Sequence, residues 1–204
     1  VDTGVYGIFP QLGKNGIVAH NIISGIEDAA IYVGMSDNVD VVYNQVFESV
    51  AGIEIENSRA ALVEGNYVYN NTGGILAFIT PGLPIKTCSD VIIRNNFVHT
   101  SRDVGIGLEN AAEVKIYHNT VFTENYFNAI EYRFTGTVNA HIANNLTNEA
   151  IAKGFAKLQP GADFDRLYRA ARCRSGSAAR RAGPGGYVEY YVGCSPMMLA
   201  SDAA

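Results

Sequence analysis

A repeat of about twenty-two residues constrains this chain more than any other feature, because the fold must accommodate the same pattern several times. A small residue followed by isoleucine recurs six times, at Gly7-Ile8, Ala30-Ile31, Gly52-Ile53, Gly74-Ile75, Gly105-Ile106 and Ala129-Ile130. An asparagine recurs in step with it, at Asn21, Asn44, Asn66, Asn96, Asn119 and Asn145. Both series lengthen at one place, where residues 79–88 (ITPGLPIKTC) form an insertion. Two independent markers with the same spacing indicate a structural repeat.

Each repeat contains two short segments in which hydrophobic and polar residues alternate. Ile53-Glu54-Ile55 exemplifies the first segment, and residues 114–121 exemplify the second. Alternation with a period of two indicates strands that are buried on one face. No helical periodicity separates these strands and the linkers are short, so βαβ units are excluded. The repeat therefore predicts an all-β β-solenoid of about six turns, with successive turns stacked about 4.8 Å apart.

The recurring residues have physical roles in such a coil. Asparagine and glycine tolerate the left-handed backbone that a bend between strands requires. Asparagines stacked at the same bend can also hydrogen-bond to one another from turn to turn. We therefore interpret the pairs Asn70-Asn71, Asn95-Asn96 and Asn144-Asn145 as turn residues rather than ligands. The inward isoleucine, valine and leucine side chains contribute about 1.5–3 kcal/mol each through burial.

Several segments resemble the parallel β-helix repeats of the pectate-lyase-like superfamily, among them VDVVYNQVFES, VIIRNNFVHTS and VKIYHNTVFTEN. They are especially similar to exported bacterial β-helix proteins and to the periplasmic NosD type. The resemblance covers about residues 1–149 and implies a right-handed parallel β-helix in a secreted or periplasmic protein. The superfamily includes lyases, hydrolases, epimerases and non-enzymatic scaffolds, so the fold alone does not give the function. The Asp-Pro-His-Asp motif of alginate epimerases is absent from this sequence.

Charge and composition narrow the classes of partner. Residues 1–150 hold sixteen acidic and seven basic residues, whereas residues 151–204 hold four acidic and eight basic ones. An acidic solenoid argues against a nucleic-acid partner, because phosphate contacts need a basic face. No run of about 18 apolar residues is present, so no membrane span is predicted. Three cysteines fit neither a disulfide framework nor a zinc site, although Cys173 and Cys194 could pair in an oxidising compartment.

The repeat ends near Asn148, and the sequence predicts two regions: a β-helix over residues 1–149, and a divergent cap or tail over residues 150–204. Residues 162–172 have the spacing of a short amphipathic helix with Asp163 as its cap, and residues 187–192 resemble a strand. The stretch between them has the composition of a loop or a disordered segment. Whether this tail is native to the fold is left open. Residues 1–8 already resemble part of a solenoid turn, without a recognisable cap. Because uncapped strand edges can pair with those of another copy, we expect end-on self-association.

Candidate catalytic residues come from the strand that begins with the repeated isoleucine. If that isoleucine points inward, the first and third residues after it point outward and stack in columns. These columns bring together the predicted catalytic residues Glu54, Glu56, Glu109, Glu131 and Arg133. Paired carboxylates suit acid/base hydrolysis of glycosidic bonds, and Arg133 is the one basic candidate for a lyase. The alternative is a set of solvated, cross-strand ion pairs.

The same face suggests a metal and a substrate. Clustered carboxylates suit Ca²⁺, the only cofactor that the sequence suggests, with Asp28 and Asp103 as candidate metal ligands. Tyr32 and Phe78 are candidates for stacking on sugar rings, and the insertion that carries Lys86 is the candidate groove wall. We therefore predict a protein that binds or processes an extended polysaccharide in an elongated groove. A non-catalytic scaffold and a divalent-metal-dependent hydrolase of small esters or lactones are the alternatives.

Overall fold

The structure, a computed structural model, describes residues 4–153, 189–192 and 195–198 of the 204-residue chain. These residues form twenty-one β-strands and no helix. Sheet A contains β1 (Tyr6–Ile8), β4 (Ala29–Gly34), β7 (Ala51–Glu56), β10 (Gly73–Phe78), β13 (Ile106–Glu109), β16 (Asn128–Arg133) and β19 (Ala150–Lys153). Sheet B contains β2 (Lys14–Ala19), β5 (Asp37–Val42), β8 (Leu62–Glu64), β11 (Ile92–Arg94), β14 (Lys115–Tyr117) and β17 (His141–Ala143). Sheet C contains β3 (Ile22–Ser24), β6 (Gln45–Phe47), β9 (Tyr67–Asn71), β12 (Phe97–Thr100), β15 (Thr120–Thr123) and β18 (Leu146–Thr147).

The three sheets wind into a solenoid, because within sheets A, B and C each strand pairs in parallel with the strand three positions along the chain. We call each successive set of strands from sheets A, B and C a rung. Rung 1 is β1–β3, rung 6 is β16–β18, and β19 adds a further strand to sheet A. The all-β class and the prediction of about six turns are confirmed.

The core is built from identical positions of successive rungs. In sheet A the repeated isoleucines pair directly with one another, beginning with Ile8 and Ile31 and ending with Ile130 and Ile151. Those at rungs 2 to 6 are fully buried. Sheet B contributes a second buried column and sheet C a third, which includes Val46. Because each rung buries the same set of positions, the sequence repeat is preserved.

Asparagine forms a continuous ladder at the bend between sheets B and C. In each of its five steps the Nδ2 group donates to the Oδ1 atom of the next asparagine, at 2.9–3.0 Å. The residue before each ladder asparagine has positive φ, and these residues are His20, Tyr43, Gly65, Asn95, His118 and Asn144. The predicted Asn ladder is confirmed. The ladder also accounts for the Asn95-Asn96 and Asn144-Asn145 pairs. In each pair the first residue adopts the left-handed backbone of the bend, and the side chain of the second hydrogen-bonds to a ladder asparagine of a neighbouring rung.

The small residue before each isoleucine lies where sheet C bends into sheet A. A Cβ added at Gly74 would overlap the carbonyl oxygen of Gly105 on the next rung, and would also approach the side chain of Val98. Steric crowding between stacked rungs therefore explains why this marker is always glycine or alanine.

Replacing Gly74 by alanine is expected to lower the free energy of unfolding by about 1–3 kcal/mol, since the new methyl group forces stacked backbone apart. Gly82 is the matched control, because a Cβ at that position meets no atom within 4 Å. Urea unfolding of both variants makes the comparison. Equal stability of the two variants would contradict the crowding argument.

The tail is described only in part. Strands β20 (Glu189–Val192) and β21 (Ser195–Met198) form an antiparallel hairpin, and β20 lies within the predicted strand at 187–192. The predicted helix at 162–172 and the cysteines Cys173 and Cys194 lie outside the described residues. The division of the chain near residue 149 and the end-on self-association stay predictions.

Candidate functional site

The outer face of sheet A carries both of the predicted columns. In one column Tyr32, Glu54, Leu76, Gly107 and Glu131 lie in register on successive strands. In the other, Gly34, Glu56, Phe78, Glu109 and Arg133 do so. The stacking geometry on which the candidate site depends is therefore present.

The columns form two separate clusters rather than one, because the apolar side chains of Leu76 and Phe78 separate them at rung 4. The acid–aromatic cluster lies on rungs 1 to 3 and consists of Tyr6, Phe9, Asp28, Tyr32, Glu54 and Glu56. The arginine cluster lies on rungs 5 and 6 and consists of Asp103, Glu109, Tyr126, Glu131 and Arg133. Each cluster has its own chemistry.

Three aromatic rings pack together at one edge of the acid–aromatic cluster. Phe9 stacks on Tyr32 with ring centroids 4.6 Å apart, and Tyr6 lies 4.6 Å from Phe9 and 4.8 Å from Tyr32. Tyr32 is buried, whereas Tyr6 and Phe9 are 36% and 43% exposed. The repeat pattern did not identify Tyr6 and Phe9 as candidate site residues. Phe9 follows the repeated Ile8 as Tyr32 follows Ile31, so extending the column by one rung would have found it.

The fold changes the acidity of the Glu54 carboxyl group strongly. Burial, and to a smaller extent the negative charge of Asp28, raise the pKa of Glu54 from 4.5 to about 7. Burial and a side-chain hydrogen bond to Asp28 also raise the pKa of Tyr6. Asp28 therefore connects the aromatic stack with the protonatable carboxyl group. A carboxyl group with a pKa near neutrality is suited to donate and accept protons at ambient pH.

Glu56 has a different environment, although it is two residues from Glu54 on the same strand. Its carboxylate accepts hydrogen bonds from the hydroxyl groups of Tyr32 and Thr80, and the side chain is buried. Asn57 also fixes the insertion, since the Thr80 amide donates to its Oδ1 atom at 2.7 Å. Glu56 and Asn57 thus anchor the start of residues 79–88 against sheet A. Lys86, in the same insertion, is exposed.

Arg133 is surrounded by acceptors in the arginine cluster. Its Nε donates to Glu131 at 2.6 Å and its Nη1 to Glu109 at 2.5 Å, while Asp103 lies 3.6 Å from Nη2. The two close carboxylates raise the pKa of Arg133 above its ordinary value, although burial opposes them. Glu131 is fully buried and also accepts from Asn128 at 3.0 Å. The guanidinium therefore stays cationic and is already paired within the protein.

Comparison with known proteins gives the fold. Residues 2–80 match the family model described as a right handed beta helix region. A solved structure of a mutant of the periplasmic alginate epimerase AlgG is similar, with a TM-score of 0.55 and 23% sequence identity. The fold is a right-handed parallel β-helix. The match covers 63% of this chain but only 30% of the epimerase chain. No curated protein matches the sequence.

The β-helix does not bring together the two aspartates that were predicted as metal ligands. Asp28 precedes β4 and Asp103 precedes β13, three strands apart in sheet A, which corresponds to about 14 Å along the axis. Within the described parts of the chain, no three His, Cys, Asp or Glu side chains converge as a metal ion requires. The negative charge of Asp28 raises the pKa of Glu54, and the carboxylate of Asp103 lies beside the guanidinium of Arg133.

Among the residues that the structure describes, no helix has the length and apolar character needed to cross a membrane.

Proposed function

We propose that this β-helix binds an extended polysaccharide along the outer face of sheet A and hydrolyses it at the acid–aromatic cluster. The observation that carries the proposal is the pKa of Glu54, which burial and Asp28 raise to about 7 beside a partly exposed aromatic stack. A protonated carboxylic acid beside an ionised one is the pair that glycoside hydrolysis needs. The fold shared with an alginate epimerase supports a polysaccharide as the substrate, without indicating its charge.

In this proposal Glu54 and Asp28 divide the chemistry between them. Glu54 gives its proton to the glycosidic oxygen as the bond from that oxygen to the anomeric carbon breaks. Asp28 takes a proton from the water molecule that adds to the anomeric carbon. Tyr6 and Phe9 bind the sugar through their exposed ring surface. Glu56, held by two hydroxyl groups, positions the insertion rather than the reacting atoms.

Charge selects the kind of polysaccharide. The two clusters together contain six carboxyl groups, from Asp28, Glu54, Glu56, Asp103, Glu109 and Glu131, and a single guanidinium that is already paired. A polyuronate such as alginate would add further negative charge to this face, which Coulomb repulsion disfavours. We therefore infer an uncharged glycan as the substrate. A sugar unit of an extended glycan is similar in length to the rung spacing of about 4.8 Å, so successive units can follow successive rungs.

The non-catalytic scaffold remains the second candidate function, because one observation favours it. Every charged group in the arginine cluster has a partner within that cluster, as a structural network requires. Rungs 5 and 6 would then stiffen the coil, and only rungs 1 to 3 would contact a ligand. Either function fits a secreted or periplasmic protein, the location inferred from the family resemblance and from the periplasmic epimerase that shares the fold.

A turnover assay tests the proposal. Uncharged β- and α-linked glycans and polyuronates are incubated with the protein, and reducing ends and unsaturated ends are measured. We expect reducing ends from an uncharged glycan, and a loss of about 10²-fold or more in rate for Glu54→Gln, since general acid catalysis contributes roughly 10²–10⁴-fold. Glu113→Gln is the control, because Glu113 is exposed and lies outside both clusters. Binding without turnover would favour the scaffold, and unsaturated ends from a polyuronate would contradict the charge argument.

A further inference from the structure

A second surface, separate from the outer face of sheet A, has the composition of a ligand site. A groove of about 520 Å³ follows the bend where sheet C turns into sheet A and extends over rungs 1 to 5. We call it the corner groove. The side chains that define its chemistry are those of Glu48, Asn70, Thr72, Arg102, Glu124 and Asn125. We propose that the corner groove is a second, non-catalytic binding site for an uncharged glycan.

Hydrogen bonds connect successive bends in the floor of the corner groove. The Ser49 hydroxyl accepts from the Ile26 amide at 3.2 Å, and the Ser49 amide donates to Asn71 at 2.9 Å. The side chain of Asn125 donates to the Ser101 carbonyl at 2.9 Å, which joins rungs 4 and 5. These bonds hold successive bends in register, so the groove is formed before any ligand arrives. A preformed site does not spend binding energy on ordering its own loops.

Above this floor, several polar side chains remain available to a ligand. Within the described residues, the guanidinium of Arg102 and the carboxylate of Glu48 have no ion-pair partner, and the amide of Asn70 has no hydrogen-bond partner. Arg102 is exposed, in contrast to the paired Arg133 of sheet A. Guanidinium, carboxylate and amide groups together offer both donors and acceptors, which is what a sugar bearing several hydroxyl groups requires.

An aromatic column borders the corner groove on its sheet C side. Phe47, Tyr69, His99 and Phe122 lie in register on four successive strands, immediately before the bends that form the groove. Phe47 and Tyr69 stack at 4.9 Å, and Phe97, beside the column, lies 6.4 Å from Phe122. Phe122 is 37% exposed, and among the described residues it has a ring neighbour only at Phe97. Its ring therefore offers surface for a sugar to contact beside the polar groove.

The charges of the groove select the ligand class. Glu48, Glu124 and Arg102 give the lining at most one net negative charge, and Glu124 lies 3.0 Å from a ring nitrogen of His99. A single cation is too few for a polyanionic strand, since phosphate-rich partners need a basic surface. The outward strand positions of sheet C over rungs 2 to 5 carry no Asp, Glu, Lys or Arg in this sequence. An uncharged, hydroxyl-rich chain is thus the occupant that this surface fits.

Calorimetry and NMR together test the assignment. The probes are uncharged hexasaccharides of β-1,4-glucan, β-1,4-mannan, β-1,4-xylan and α-1,4-glucan, titrated into the full chain. We expect at least one probe to bind, and Arg102→Ala and Phe122→Ala each to weaken that binding about tenfold or more. Arg59→Ala is the matched control, because Arg59 is an exposed arginine of the opposite bend, paired with Asp37 at 3.0 Å, and its loss should leave the affinity unchanged. Thermal unfolding confirms that each variant is folded.

Amide shift perturbations locate the bound sugar and separate this proposal from the one for sheet A. Perturbations at Glu48 and Asn70, groove residues that are not chain neighbours of either cluster of sheet A, support the corner groove, whether or not the acid–aromatic cluster also responds. Perturbations confined to the outer face of sheet A would overturn the groove while supporting the proposed function. Failure of every probe to bind, or affinities that Arg102→Ala and Phe122→Ala leave unchanged, would also overturn it.

Discussion

Replacing Asn66 by alanine is expected to lower the free energy of unfolding by about 2–4 kcal/mol, because this residue lies in the middle of the buried ladder. Its Nδ2 group donates to the Val41 carbonyl at 2.9 Å and to Asn96 at 3.0 Å. Its Oδ1 atom accepts from the amide of Asn44 at 2.9 Å and from the Asn44 side chain at 3.0 Å. Alanine removes all four bonds and leaves their partners without water to replace them.

The first asparagine of the ladder provides the control. Asn21 donates to Asn44 at 2.9 Å and to the Ala19 carbonyl at 3.0 Å, and its side chain is only partly buried. Solvent can therefore replace the bonds that Asn21→Ala removes, and we expect a loss below about 1 kcal/mol. Urea unfolding of the two variants measures the difference. Losses of equal size would mean that burial within the ladder does not set its strength.

The fold could be predicted from the sequence because every rung imposes the same local demands. A left-handed bend before Asn96 recurs before Asn119, and the crowded position at Gly74 recurs at Gly105. Each of these positions selects the same residue type in every rung, so the sequence shows the same structural requirement several times. Single deviations, such as the insertion at residues 79–88, then change neither the register of the strands nor the core.

The candidate site could be predicted only as far as the columns. The period of the strand placed Glu54 and Glu131 on one face, and the structure agrees. The pattern left open whether Arg133 is catalytic or ion-paired, and it did not indicate that Asp28 contacts a different cluster from Asp103. These properties depend on side-chain directions and on neighbours from other rungs, and each occurs once rather than in every repeat.

At about pH 8, Glu54→Gln is expected to be more stable than the unchanged protein by about 2 kcal/mol. The folded-state pKa of Glu54 lies at about 7, above the ordinary value of 4.5, so folding favours the protonated form. Ionisation of the native carboxyl group therefore costs stability as the pH rises from about 4.5 to about 7, and the cost is constant above that range. Glutamine never ionises, so the difference between the two proteins should vanish near pH 4.

Urea unfolding at several pH values between 4 and 8 measures this difference, with Glu27→Gln as the control. Glu27 is exposed and lies beside Asp28 in the sequence, so its substitution should change stability little at any pH. A Glu54→Gln variant that is less stable than the unchanged protein at pH 8 would mean that the carboxylate is stabilised in the fold, contrary to its raised pKa.

The same substitution connects stability with function. If the Glu54 carboxyl group only supported the fold, replacing it would lower both the stability and any activity of the protein. Glu54→Gln is expected to gain stability above pH 7 while it loses turnover, because the burial that destabilises the carboxylate also keeps the proton available to a substrate. Opposite signs in the two measurements would identify Glu54 as a residue kept for chemistry at a cost to the fold. A variant that gained stability and kept full turnover would remove Glu54 from the proposed mechanism.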